Sequence, residues 1–276
     1  MHIDELSTPA LVLDADAFGR NLASMATRLP GATLRPHVKA HKCTSIAAAQ
    51  EQAGHHTFTC ATPGEVVGMA AAGVGSELLL ANETIDVGRL RAMADLEVPV
   101  LVAVDSSETV SAAARNGITA CLIDVNVGLP RCGISPDRAG ALADEARAAG
   151  LEVRGVMGYE GHLMMVPERA DRSAQVDASM GLLRQAHGDV GGDIISAGGT
   201  GTFDLHDATG VTEVQAGSYA LMDTHYGRQG LPFEQAVHVM GTVISVSDGW
   251  AVADVGLKSL GMDHGNPDVA DGNVWF

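Results

Sequence analysis

Ten residues, Leu34-Arg35-Pro36-His37-Val38-Lys39-Ala40-His41-Lys42-Cys43, bring two lysines, two histidines and an arginine together in a chain with 34 acidic against 17 basic residues. A lysine ending an extended apolar stretch is a candidate Schiff-base nucleophile. Its amine becomes reactive when desolvation or nearby positive charge lowers its pKa, and Arg35, His37, His41 and Lys42 are the candidate charges around Lys39. A solvated loop at a strand end accounts for the same composition equally well.

Farther along, Ser196-Ala197-Gly198-Gly199-Thr200-Gly201-Thr202 offers consecutive backbone N–H groups and hydroxyls, the chemistry of a phosphate cradle. Asp124-Val125-Asn126-Val127-Gly128-Leu129-Pro130-Arg131-Cys132-Gly133 delivers a guanidinium suited to an anionic oxygen, or else a surface arginine in a turn. Gly158-Tyr159-Glu160-Gly161-His162 places a phenol and an imidazole at one strand end, where they could orient a ligand or move protons. Gly217-Ser218-Tyr219 adds a hydroxyl pair. Asp263 and His264 are adjacent, a spacing that suits a turn better than a metal site.

These groups need a scaffold that gathers strand ends. Nine short apolar runs, at 10–14, 33–39, 57–61, 77–81, 98–104, 119–125, 152–159, 193–197 and 213–221, read as strands. Helix-forming segments at 15–29, 44–53, 63–72, 85–96, 107–116, 136–149 and 168–187 alternate with them, and Gly54, Gly73, Gly117 and Gly150 act as C-terminal stops. After Pro232 the alternation ends, and 237–246 and 250–257 read as an antiparallel hairpin about a Ser-Asp-Gly turn. If 10–14 pairs with that hairpin, the other eight runs close a (β/α)8 TIM-type barrel. The expected organisation is a barrel at 15–232, with 1–14 and 233–276 forming an incomplete antiparallel β domain. The active site of a barrel lies at the C-terminal ends of its strands, and Lys39 ends the first.

Composition narrows the function classes. A net charge of −17 should repel nucleic acid and anionic lipid alike, so neither is an expected partner. There is no basic region followed by an apolar core at the start and no apolar stretch of roughly 18 residues, which predicts a cytoplasmic protein. Cys43, Cys60, Cys121 and Cys132 lack close pairing and read as reduced packing residues.

Five motifs in this order, Arg-Pro-His-Val-Lys-Ala-His-Lys, Val-Gly-Leu-Pro-Arg-Cys-Gly, Tyr-Glu-Gly-His, Gly-Gly-Thr-Gly-Thr and Gln-Ala-Gly-Ser-Tyr-Ala-Leu-Met-Asp, carry a family resemblance. The chain resembles the D-threonine aldolase and D-serine dehydratase-like enzymes, fold type III pyridoxal phosphate enzymes of the alanine racemase type. The resemblance implies that Lys39 holds pyridoxal phosphate covalently, that Gly199, Thr200, Gly201, Ser218 and Tyr219 surround its phosphate, and that Arg131 approaches the ring's phenolic side. It implies too that His37 belongs to the cofactor site, that Tyr159 and His162 line the pocket, and that His162 transfers a proton.

The family also holds a divalent metal, Mn, Mg, Co or Zn, through a His-x-Asp or His-x-Cys pair near the C-terminus. No such pair follows Gly265, so no metal ligand is identified, and an ending on Val274-Trp275-Phe276 reads as a fragment that stops within the β domain. The implied activity is retro-aldol cleavage of D-3-hydroxy amino acids, D-threonine giving glycine and acetaldehyde, because the segment 256–267 is most similar to aldolase members. A D-serine or D-3-hydroxyaspartate dehydratase and a non-catalytic pyridoxal phosphate-binding barrel are the alternatives. The family type also implies a homodimer.

Overall fold

The computed structural model describes residues 5–261 and 265–269. The segments that carry Asp263, His264 and Val274-Trp275-Phe276 lie outside them. The chain opens with strand β1 (Ala10–Leu13) and helix α1 (Ala15–Arg28), and divides into two compact units, one of residues 22–219 and one of the residues before and after these.

In the larger unit, β2 (Thr57–Cys60), β3 (Glu77–Leu80), β4 (Val100–Val104), β5 (Ala120–Asp124), β6 (Glu152–Met157), β7 (Ile194–Ala197) and β8 (Glu213–Val214) form a parallel sheet in sequence order. The connecting helices are α2 (Thr44–Gln52), α3 (Pro63–Ala71), α4 (Val87–Ala94), α5 (Ser107–Arg115), α6 (Ala139–Ala148) and α7 (Arg169–Val190). Local chemistry starts them where the sequence suggested. The Thr62 hydroxyl accepts the Glu65 N–H ahead of Pro63, and Ser106 and Thr109 form a capping box.

Residues 34–37 close the barrel between its first and last strands. The N–H groups of Arg35 and His37 donate to Val214 and Ala216 carbonyls at 2.9 and 3.1 Å, and Pro36 O accepts the Thr59 N–H at 2.9 Å. Alternate residues face alternate neighbours, as in any strand, so the missing Pro36 N–H costs no ladder bond. The extended stretch is shorter than the expected 33–39, because Val38 O accepts both His41 and Lys42 N–H groups and turns Val38–Ala40 into a 3₁₀ turn. The expected strand 213–221 is likewise cut to Glu213–Val214, since the Tyr219 N–H donates to the Thr200 hydroxyl and Ser218–Ala220 is a 3₁₀ turn.

Strand side chains split by parity. Leu78, Leu80, Val102, Cys121, Ile123 and Val156 pack outward with Val66, Met69, Leu90, Met93, Leu142 and Leu183 of the helices. Leu79, Leu101, Ala103, Leu122 and Met157 form a second cluster inside the barrel, so both faces of the sheet are buried. The interior also holds an ion cluster at the starts of β3 and β8. Arg35 donates to Glu77 and Glu213, each at 2.8 Å, and Arg154 reaches the other Glu77 oxygen at 3.3 Å.

In the smaller unit, a short helix α8 (Thr224–Gly227) precedes β9 (Val237–Met240), β10 (Val243–Ser247) and β11 (Trp250–Ala253). β1 pairs antiparallel with β9, Leu13 opposite Val237, as the strand count required. The expected run 237–246 breaks at 241–242, where the Thr242 N–H turns to Asp254 Oδ1 at 2.8 Å, and the hairpin forms from β10 and β11. No helix among the described residues is long and apolar enough to cross a membrane, and all four cysteines are free.

Candidate active site

Lys39 stands in the turn just past the closing strand. Its Nζ lies 5.0 Å from the centroid of the Tyr159 ring, and the Arg131 guanidinium carbon lies 5.6 Å from the same centroid. Tyr159 follows β6 and Arg131 lies in the loop after β5, so three strand ends converge. Desolvation is the main cause of a lowered Lys39 pKa, with Arg131 and Lys42 adding to it against the opposing charge of Glu65. The side chain keeps solvent-accessible surface, so the amine is walled by protein yet open to a ligand.

The other members of the basic run take different roles from those expected. Arg35 points to the ion cluster at the opposite end of the strands, 3% exposed, and adds nothing at Lys39. His37 is held well below its ordinary pKa, by burial first and then by Lys39, and its Nδ1 accepts the Lys39 N–H at 3.4 Å. His41, also lowered by burial, accepts the Cys43 N–H at 3.0 Å. Both histidines are thus neutral acceptors that shape the turn. Lys42 is ion-paired to Glu65, whose second oxygen accepts the Ala61 N–H at 2.7 Å.

The Gly-rich loop follows β7. A Cβ on Gly201 would overlap the Met164 carbonyl oxygen, and one on Gly199 would lie 3.6 Å from Cε2 of Tyr159. The Tyr159 ring therefore adjoins both the lysine and the loop. Tyr219 is fully buried, its hydroxyl accepts from Gln50 at 3.0 Å, and burial pushes its pKa up. Ser218 is half-buried beside it. The exposed His162 sits in the 3₁₀ turn Gly161–Leu163, its Cε1 3.1 Å from where a Cβ on Gly128 would stand. Its contact is with the loop that bears Arg131.

Carboxyl groups were the residues overlooked in the sequence. Asp124, at the end of β5, is buried and its pKa is raised well above the usual range, by desolvation first and then by the like charge of the neighbouring Glu83. Burial first, and then the Glu83 carboxyl group, push the Cys132 thiol up to about 11. Glu160, between Tyr159 and His162, is fully buried. The available signal was an acidic residue closing an apolar strand run, which at a barrel mouth marks a paired carboxyl group. Among the described residues no three His, Cys, Asp or Glu side chains converge as a metal site.

The arrangement can hold a small molecule that carries a carbonyl for an amine, an acidic oxygen for a guanidinium and an anionic group for backbone amides. Residues 13–225 match the alanine racemase, N-terminal domain family. The chain is 34% identical over 287 residues to a D-threonine aldolase from Arthrobacter sp, covering 96% of this chain and 75% of that protein. The chain belongs to the D-threonine aldolase-like family of alanine racemase-type barrels. Within this family it is 30% identical to a 3-hydroxy-D-aspartate aldolase from Paracoccus denitrificans (strain Pd 1222), over 98% of this chain and 77% of the other. The crystal structure of D-threonine aldolase from Filomicrobium marinum superposes with a TM-score of 0.90 at 33% identity, over 95% of this chain and 77% of that one.

Proposed function

We propose that this family member is a pyridoxal phosphate-dependent lyase that cleaves D-3-hydroxy amino acids, converting D-threonine to glycine and acetaldehyde. The observation that carries the reading is the Lys39 amine beside Arg131 and Tyr159, with the Gly-rich loop against the same tyrosine. Similarity to D-threonine aldolase supports the choice of substrate.

The residues fit the cofactor on their own chemistry. Lys39 offers an amine with a lowered pKa for covalent attachment. Arg131 offers a bidentate cation for a ring oxygen, and Thr200, Gly201 and Ser218 offer N–H and hydroxyl donors for phosphate, while Gly199, whose N–H is held by the Thr202 hydroxyl, would line the phosphate site without donating to it. Pyridoxal phosphate, when bound, supplies an electron sink for the bond broken at Cα. His37 keeps the Lys39 turn in shape as a neutral acceptor, and Tyr159 fixes the amine through its ring face.

In the cleavage the Cα–Cβ bond of D-threonine breaks, the β-hydroxyl gives up its proton as acetaldehyde forms, and a proton is added at Cα to give glycine. His162 is assigned the hydroxyl proton, being an exposed imidazole in the turn after β6 that lies against the loop of Arg131. The barrel at 15–232 is assigned as the cofactor-binding domain. The test is product analysis with D-threonine, pyridoxal phosphate and Mn²⁺. Equal amounts of glycine and acetaldehyde are expected, and 2-oxobutanoate with ammonia would overturn the reading in favour of dehydration.

A further inference from the structure

Directly after Tyr159 the chain buries a carboxylate completely. Glu160 Oε2 accepts the Gly198 N–H at 3.2 Å, and Oε1 accepts the Thr202 hydroxyl at 2.7 Å and lies 3.3 Å from Nε2 of the buried His206. The Thr202 oxygen accepts the Gly199 N–H at 3.3 Å, and His206 Nδ1 reaches the Thr209 hydroxyl at 3.4 Å. His206 also fits against Gly198, whose φ of +83° suits glycine and whose Cβ, if present, would be 2.8 Å from Nε2.

A buried carboxylate is strongly disfavoured unless donors surround it, and these donors all come from the Gly-rich loop and the turn that follows. His206 and Thr202 outweigh the effect of burial, so Glu160 stays below the ordinary carboxyl range. The consequence for the loop is selective. Gly198 and Gly199 spend their N–H groups on this cluster, whereas those of Thr200 and Gly201 meet no protein acceptor among the described residues. The Gly201 carbonyl is fixed by Arg172 Nη1 at 3.1 Å.

We infer that Glu160 and His206 are positioning residues that shape the loop at 198–202 so that the Thr200 and Gly201 amides are left to receive a phosphomonoester. The inference rests on the reading of this loop as the phosphate site. Neither residue touches the ligand. Their effect is on how well the loop is preorganised for the anion.

The test compares pyridoxal phosphate with pyridoxal, which lacks the phosphate, by titrating the whole protein and following the visible absorbance of the attached ligand. Glu160→Gln and His206→Leu should each weaken pyridoxal phosphate about tenfold and leave pyridoxal within about twofold, because only the former uses the loop. Wild-type discrimination between the two ligands in both variants would overturn the inference while leaving the phosphate reading intact. Equal weakening of both ligands would also overturn it, as that is the signature of a general structural role. A wild-type protein that does not prefer pyridoxal phosphate to pyridoxal would overturn the phosphate reading, and the inference with it.

Discussion

The Lys39 amine and the Arg131 guanidinium share one aromatic ring, at 5.0 and 5.6 Å from the centroid of Tyr159. Two cations meet on one tyrosine although the chain carries a net charge of −17. The ring's negative face favours both cations, while their mutual repulsion favours loss of the lysine proton.

Arg131→Leu removes the larger of the two cationic causes of the lowered Lys39 pKa, so that pKa rises. A higher pKa leaves less neutral amine at a given pH. The pH profile for the rate of pyridoxal phosphate attachment should therefore move to higher pH in the variant, as read by stopped-flow absorbance. An unmoved profile would mean that the Arg131 charge does not set the reactivity of Lys39.

Tyr159→Phe keeps a ring face and Tyr159→Ala does not. A cation–π contact contributes on the order of 0.5–2 kcal/mol. The alanine variant should therefore lose more cofactor affinity than the phenylalanine variant, measured by equilibrium titration. Equal losses would assign the effect to the hydroxyl instead.

Gly201→Ala forces a Cβ onto the Met164 backbone. Overpacking against a main chain costs about 1–3 kcal/mol, so urea denaturation should show a lower midpoint. Phosphate affinity, followed by competition with pyridoxal phosphate, should fall with it.

Arg35→Met leaves Glu213 and one oxygen of Glu77 without their cation in the barrel interior. Breaking a buried pair on one side costs about 3–5 kcal/mol, which urea titration of the variant should register. A loss near zero would show that water reaches these carboxylates.

Much of this fold could be read from the sequence because the apolar runs and glycine stops are local signals. α3 and α5 begin at the expected residues, Pro63 and Ser107, and Ala10–Leu13 leaves the barrel to pair with Val237–Met240, the start of the run read as a late hairpin, although the hairpin itself forms from β10 and β11. The closing strand and β8 came out shorter than expected, since Val38 O and the Thr200 hydroxyl draw their N–H partners into turns. Those are contacts with no sequence pattern of their own.

In the site, Lys39, Arg131 and Tyr159 were singled out by residue type, and the structure brings them together. The charges expected around Lys39 were misjudged. Sequence proximity suggested Arg35, whose side chain runs to the other end of the barrel, and two histidines that burial keeps neutral. Glu160 and His206 went unnoticed because their pairing spans two strand ends, and only the folded chain makes them neighbours.

The chain contains three lysines, Lys39, Lys42 and Lys258, which makes the attachment point directly measurable. The protein would be loaded with pyridoxal phosphate, reduced with borohydride, digested and mapped by mass spectrometry. The account predicts a single reduced pyridoxyl adduct on Lys39, absent from Lys39→Ala. An adduct on Lys42 or Lys258 in place of Lys39, or none on any of the three, would contradict it.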